Sequence, residues 1–316
     1  MTAERPGPPE PDQPEPGRPR RSALDTSVPH PARVYDYWLG GKDNYAADRE
    51  AAEAAMAANP YIVPGVRTNR EFLGRAVRYL TGEPGIRQFL DIGTGIPAAD
   101  NTHEVAQAAA PQARIVYVDN DPIVLVHARE LLTSTAEGAT DYIQADVRHP
   151  GDVLRQAAVT LDFGQPIAVM MLAILQNVGD ADDPHRIVAG LMDAVAPGSY
   201  LVLSHPASDI LPEAMARMAD RLNERQRQAD QVTFRTRAEV TRFFGGLELV
   251  EPGVVQPPHW RPGRGTFIPG HDVTAWCGVA RKPSPATHRC RGRGVRPRHL
   301  VRDGQRGVIT RAPAGR

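Results

Sequence analysis

Cysteine, lysine and long apolar runs are all scarce in this chain, and each shortage excludes something. Cys277 and Cys290 are the only cysteines among 316 residues. Two cannot build a disulfide framework, and neither has cysteine or histidine neighbours at metal-ligand spacing. A reducing compartment and the absence of a metal are expected. No stretch reaches the roughly 18 consecutive apolar residues of a membrane-spanning helix, and the first residues lack the apolar core of a secretory leader. The sequence therefore reads as cytoplasmic, with no membrane partner. Lysine stands only at Lys42 and Lys282. The excess of arginine, alanine and proline follows GC-rich codons, so it does not argue for a nucleic-acid partner.

The formal net charge of +0 conceals an asymmetry. Eleven of the 37 basic side chains, but one of the 37 acidic ones, fall in residues 281–316, leaving 26 basic against 36 acidic before them. Residues 1–31 hold nine prolines and few apolar side chains. Such a stretch buries too little surface to offset its ordering entropy, so a disordered Pro-rich tail is expected there. A second disordered tail, basic and rich in Arg, Gly and Pro, is expected over 283–316. Between them lies one domain, 32–282, whose first part, 32–85, forms a helical cover. The 41% apolar content of the whole chain suffices for a core.

Within that domain helix and strand patterns alternate. Helices are expected over Ala47–Ala58, from Asn69 with Phe72, Leu73, Ala76, Val77 and Leu80 on one face, over Thr102–Ala109, and from Asp121-Pro122 to Leu132. Others follow near Pro184–Val195, Glu213–Gln228 and Ala238–Phe244. Strands are expected at Gln88–Ile92, Ile115–Val118, Asp141–Ala145, Ile167–Leu172, Ser199–Ser204, Leu247–Val250 and Val273–Ala280, the last two as an antiparallel pair. This order predicts an α/β fold, a doubly wound and mostly parallel seven-stranded Rossmann-like sheet with an antiparallel C-terminal strand. Ligands in such sheets bind beyond the carboxyl ends of the strands, where the strand order reverses.

The first strand ends in Asp91-Ile92-Gly93-Thr94-Gly95, an acid followed by a glycine turn. The second and third strands also end in acids, Asp119 and Asp146. Three carboxylates at successive strand ends suit an adenosine carrying a cationic group. Asp119 is placed to accept from ribose hydroxyls, with Asn120 beside it. Asp146 is placed to accept from the adenine amine while the Val147 amide faces the ring. Asp91 is placed under an ammonium or sulfonium. These features point to S-adenosyl-L-methionine. Gly93–Ala98 also fits the dinucleotide pattern G-x-G-x-x-A, which keeps an NAD-dependent oxidoreductase as an alternative. Against it, Asp91 would repel a pyrophosphate and Pro97 offers no amide. Asn59-Pro60-Tyr61 hints at the Asn-Pro-Pro-Tyr motif of enzymes that methylate exocyclic amines, with one proline missing.

Beyond this turn, the run from Arg33-Val34-Tyr35-Asp36-Tyr37-Trp38 to Arg49-Glu50 is distinctive, as are Asn69-Arg70-Glu71-Phe72-Leu73, Asn101-Thr102-His103-Glu104 and Tyr117-Val118-Asp119-Asn120-Asp121-Pro122. Over about 31–282 the chain resembles the bacterial S-adenosylmethionine-dependent methyltransferases once filed as a domain of unknown function, methyltransferase family nineteen. The resemblance implies a class I methyltransferase sheet that binds the cofactor and transfers a methyl group to an acceptor, expected to be a small molecule. Thr94 belongs to the cofactor turn, and Arg70 is a candidate partner for the methionine carboxylate. Tyr45, Gln176 and Asn177 are candidates for the substrate pocket. At Leu175-Gln176-Asn177-Val178, relatives usually carry Leu-His-Phe-Val. The chain thus lacks an imidazole and an aromatic there, and Gln176 takes no proton near neutral pH. No catalytic residue is assigned and the oligomeric state stays open. A non-catalytic S-adenosylmethionine-binding sensor or partner protein is the second reading.

Overall fold

The computed structural model describes residues 26–124, 134–224 and 231–284. The chain divides into Met1–Ser284 and Pro285–Arg316, and the second unit lies outside the described residues. So do most of the expected N-terminal tail, residues 125–133, into which the helix from Asp121-Pro122 was expected to run, and the segment 225–230.

Seven strands make one sheet in the order β3-β2-β1-β4-β5-β7-β6. They are β1 Gln88–Ile92, β2 Arg114–Asp119, β3 Ala139–Gln144, β4 Ala168–Leu172, β5 Tyr200–Pro206, β6 Glu248–Leu249 and β7 Ala275–Arg281. The first five are parallel to one another, whereas β7 runs antiparallel to both β5 and β6. Every residue of β1 is buried, as a central strand covered on both faces requires. The order reverses between β1 and β4, so a crevice opens at their carboxyl ends.

Two apolar layers flank the sheet. Val116, Val118, Val169, Leu191 and Leu203 lie in one, while Phe72, Leu80, Phe89, Ile115 and Trp260 lie in the other. Helix α3, Ile62–Gly82, supplies Phe72, Leu73, Ala76, Val77 and Leu80 to the second layer. That is the expected apolar face. The helix starts at Ile62, seven residues before the expected Asn69. Pro64 and Gly65 read as breakers, yet in a first turn Pro loses no hydrogen bond that the helix would otherwise make.

A third apolar cluster forms a roof. Val34 and Trp38 from α1 (Pro31–Leu39) and Ala52 and Ala55 from α2 (Ala46–Ala58) pack with Met215 and Met218, far along the chain. The methionines lie on a later helix, Pro212–Asn223. In order after α3 come α4 Thr102–Ala109, α5 Pro150–Ala157, α6 Pro184–Ala194, that helix, which is α7, and α8 Arg237–Arg242. Helix α5 was not expected; it is an eight-residue segment with Pro150 opening its first turn. Among the described residues no helix is long and apolar enough to cross a membrane.

Residues 26–31, expected to belong to a tail, are instead attached to the body. Arg33 Nη2 donates to Val28 O at 2.8 Å, and the His30 amide donates to Asp48 Oδ1 at 2.9 Å. Asp48 is fully buried and also receives Arg33 Nε at 3.2 Å and the Tyr45 amide at 2.8 Å. One carboxylate therefore fastens the N-terminal segment, α1 and the start of α2 together.

Candidate functional site

A cavity of about 430 Å³ lies beyond the carboxyl ends of β1, β2, β3 and β4 and beneath the helical roof. Asp91, Gly93, Thr94, Gly95, Asp119, Asn120, Asp146, Val147, Arg70, Gln176 and Asn177 all border it. Residues more than 100 positions apart are thus brought to one place by the strand order.

The glycine turn is shaped by its own backbone. Gly93 and Gly95 take φ of 74° and 66°, the left-handed region that glycine enters without a Cβ clash. The Gly93 and Thr94 amides donate to Val118 O at 2.8 and 3.3 Å, and the Gly95 amide donates to Asp119 Oδ2 at 2.8 Å. All three N–H groups are therefore engaged within the protein. A pyrophosphate needs such amides free and turned towards it. This turn does not supply them.

The acids have distinct surroundings. Asp91 is buried and accepts from Thr102 Oγ1 at 2.6 Å. Desolvation pushes its carboxyl up to about 6, against the opposing pull of Thr102 and Arg70. Asp119 is also buried, and accepts from the amides of Gly95 and Asp121 at 2.8 and 2.9 Å. Burial raises its pKa while those two donors lower it. Each of its oxygens keeps a further lone pair for a ligand. Asp146 is more open, accepting from Arg148 through the amide at 2.9 Å and through Nη1 at 3.1 Å.

Arg70 borders the cavity while its Nη2 donates to Ala99 O at 2.9 Å and Asp100 O at 3.1 Å, fastening the loop that follows the turn. Tyr45 is not in the cavity wall. It stands at the N-terminus of α2, with Arg33 over its ring at 5.4 Å, because its amide is drawn to Asp48. Asn59 is likewise committed elsewhere. Its side chain is buried against Thr274 and Met215, at 3.1 and 3.4 Å, so the triplet with Pro60 and Tyr61 closes a helix and contributes nothing to the cavity.

After β4 the chain turns at Ala173, with φ of 51°, into the segment that carries Gln176 and Asn177. Gln176 Nε2 donates to Ala173 O at 2.6 Å. That bond fixes its Oε1 as an acceptor, and this oxygen has no protein donor; Asn177 Oδ1 has none either. Orphaned buried acceptors beside a cavity mark a place where a ligand completes the hydrogen bonding.

Sequence reasoning missed three participants. Thr102 was legible as the opening of α4 and as part of the family motif, but not as a donor to Asp91. His30, at the N-cap of α1, borders the cavity with Nδ1 3.1 Å from Asp121 Oδ2. Arg235 was one arginine among many. It is buried and donates to Leu175 O, Val178 O and Asp180 Oδ1 at 2.9, 2.9 and 2.7 Å. No spacing rule announces it, since these three partners lie 55 to 60 residues earlier. Among the described residues no three His, Cys, Asp or Glu side chains gather to hold a metal ion.

Comparison with known proteins agrees with this fold. A model of the S-adenosyl methyltransferase family matches residues 17–283, and the chain belongs to that family. A DUF574 family protein from Streptomyces avermitilis is 45% identical with a TM-score of 0.78, the match covering 82% of this chain and 99% of that one. A candidate methyltransferase from Thermobifida fusca is 41% identical with a TM-score of 0.75, covering 82% of this chain and 97% of its own. No curated protein matches the chain. The chain is an S-adenosylmethionine-dependent methyltransferase, and S-adenosylmethionine is its cofactor.

Proposed function

We propose that this methyltransferase acts on a small-molecule acceptor held under the roof, with the cofactor along the carboxyl rim of β1, β2 and β3. The observation that carries this reading is the self-engaged glycine turn flanked by three carboxylates. Such an acceptor set suits a nucleoside with a cationic tail and repels a pyrophosphate. In this arrangement Asp119, with Asn120, accepts the ribose hydroxyls. Asp146 and the Val147 amide take the adenine edge. Asp91 and the turn 93–95 face the methionine part, and Arg70 offers Nε and Nη1 to its carboxylate.

Bound S-adenosylmethionine supplies a methyl group already activated on a sulfonium. The protein's part is alignment and exclusion of solvent. The roof covers the cavity, the turn 173–178 sets one wall, and Gln176 Oε1 accepts from the acceptor. No side chain is assigned as a general base.

Asp119→Ala tests the placement. Loss of charged hydrogen bonds should cost about 1.5–3 kcal/mol, on the order of ten- to a hundredfold in affinity for S-adenosylmethionine by calorimetry. An unchanged dissociation constant in a folded variant would put the ribose elsewhere. NAD is expected not to bind.

Asp91 adds a pH signature. A cationic ligand favours the ionised carboxylate, so below the free value of about 6 binding must first expel a proton. Affinity should therefore fall by up to about tenfold per unit as pH drops below that value, and flatten above it. Asp91→Asn should bind more weakly and lose this slope. A slope that survives the substitution would assign the proton to another group.

A further inference from the structure

We infer that the roof side of the cavity takes a neutral, ring-bearing acceptor carrying an N–H or O–H donor, which rests on methyl transfer at this site. The walls there are Trp38 and Leu39 from α1, Met218 and Leu222 from α7, and Val232 and Phe234 from the segment before α8. These six side chains come from three separate parts of the chain, and all are apolar. Aromatic walls favour flat rings, which stack or meet them edge-on.

Of the charged groups bordering the cavity, Asp91, Asp119 and Asp146 face the cofactor in the proposed function, His30 Nδ1 lies 3.1 Å from Asp121 Oδ2, and the others are paired within the protein. Arg148 donates to Asp146 and Asp182 at 3.1 and 3.0 Å and to Asn177 O at 3.0 Å. Arg70 fastens the loop at Ala99 and Asp100, and in the proposed function its other donors face the cofactor. Asp36 Oδ2 accepts from the Asp43 amide and Asn44 Nδ2 at 3.0 and 2.9 Å, which turns this carboxylate to the 41–44 turn. An anionic acceptor would enter an apolar chamber with its neighbouring cations paired, at the full cost of desolvation. The polar demand is of another kind. With Nε2 committed to Ala173 O, Gln176 presents an acceptor with no partner, so the ligand must bring a donor.

Two fluorescent probes with one skeleton test this on the full chain saturated with S-adenosylhomocysteine. N-phenyl-1-naphthylamine is neutral and carries one N–H, and 8-anilinonaphthalene-1-sulfonate adds an anion. The neutral probe should bind saturably and at least about tenfold more tightly than the sulfonate. Leu222→Arg, in the last turn of α7 where a cation suits the helix, should reverse that preference and leave S-adenosylhomocysteine affinity unchanged. Leu222→Gln should weaken the neutral probe without admitting the sulfonate. Equal or tighter binding of the sulfonate by the parent chain would overturn the inference. So would neutral-probe binding that ignores Leu222→Arg and disappears with Phe267→Ser, since Phe267 and Ile268 are exposed outside the cavity at 62% and 50%. Failure of S-adenosylhomocysteine itself to bind would instead overturn the proposed function beneath it.

Discussion

Replacing Gly93 with alanine is expected to destabilise the protein by about 2–5 kcal/mol and to abolish cofactor binding in whatever folded fraction remains. Two costs combine. At φ of 74° a Cβ sits in the left-handed region, a penalty of roughly 1–2 kcal/mol. The added methyl would also lie 2.5 Å from Ile174 Cγ1, an overlap of the kind that costs about 1–3 kcal/mol in a packed site. Gly95 offers an internal control. Its φ is 66°, yet the nearest atom a Cβ would meet is Ala32 Cβ at 4.0 Å. Gly95→Ala should therefore show the backbone penalty alone. Chemical denaturation of Gly93→Ala, Ile174→Ala and the double variant separates the two costs. Trimming Ile174 should recover part of the Gly93→Ala loss, and strictly additive effects would show that the turn yields without touching the wall after β4.

This coupling explains what the sequence made legible. The glycine turn, the three strand-end acids and the seven strands follow from local patterns: alternation of helix and strand, acids at strand ends, positive-φ residues between them. Asp91, Asp119 and Asp146 border one cavity because parallel strands deliver their carboxyl ends to one edge. The contribution of α7 to the roof was hidden because it is non-local. Trp38 and Met218 pack together across 180 positions, and neither segment reveals its partner. Arg70 and Tyr45 show a further limit. Their side chains suited a ligand, but Arg70 Nη2 is taken by the carbonyls of Ala99 and Asp100, and the bond from the Tyr45 amide to Asp48 holds that residue outside the cavity wall. Composition placed the start of the body at residue 32, whereas Val28, Pro29 and His30 border the cavity. A proline-rich segment gains little by burial on its own surface, but backbone hydrogen bonds to Arg33 and Asp48 hold this one in place.

Arg235→Met should cost about 2–4 kcal/mol while sparing cofactor affinity. The guanidinium holds the turn after β4 through Leu175 O and Val178 O, and its Nη1 lies 3.0 Å from His205 Nε2. His205 is fully buried, and desolvation lowers its pKa to about 3, so its ring is neutral. Its Nδ1 lies 2.8 Å from Pro206 O, a carbonyl that only accepts. Nδ1 therefore carries the proton and Nε2 accepts from Arg235. Methionine fills much of the volume but leaves buried acceptors unpaired, at roughly 1–3 kcal/mol each. The larger penalty of a stranded buried charge does not apply, because the partner Asp180 is 81% exposed and water can take over. The turn carrying Gln176 and Asn177 loses its anchor, whereas Asp91, Asp119 and Asp146 keep theirs. Calorimetry should thus find S-adenosylhomocysteine affinity within about threefold of the parent, together with weakened binding of the neutral naphthylamine probe. Parallel loss of both ligands would show that Arg235 supports the whole crevice, and parental behaviour in both would mean that the turn holds its shape without it.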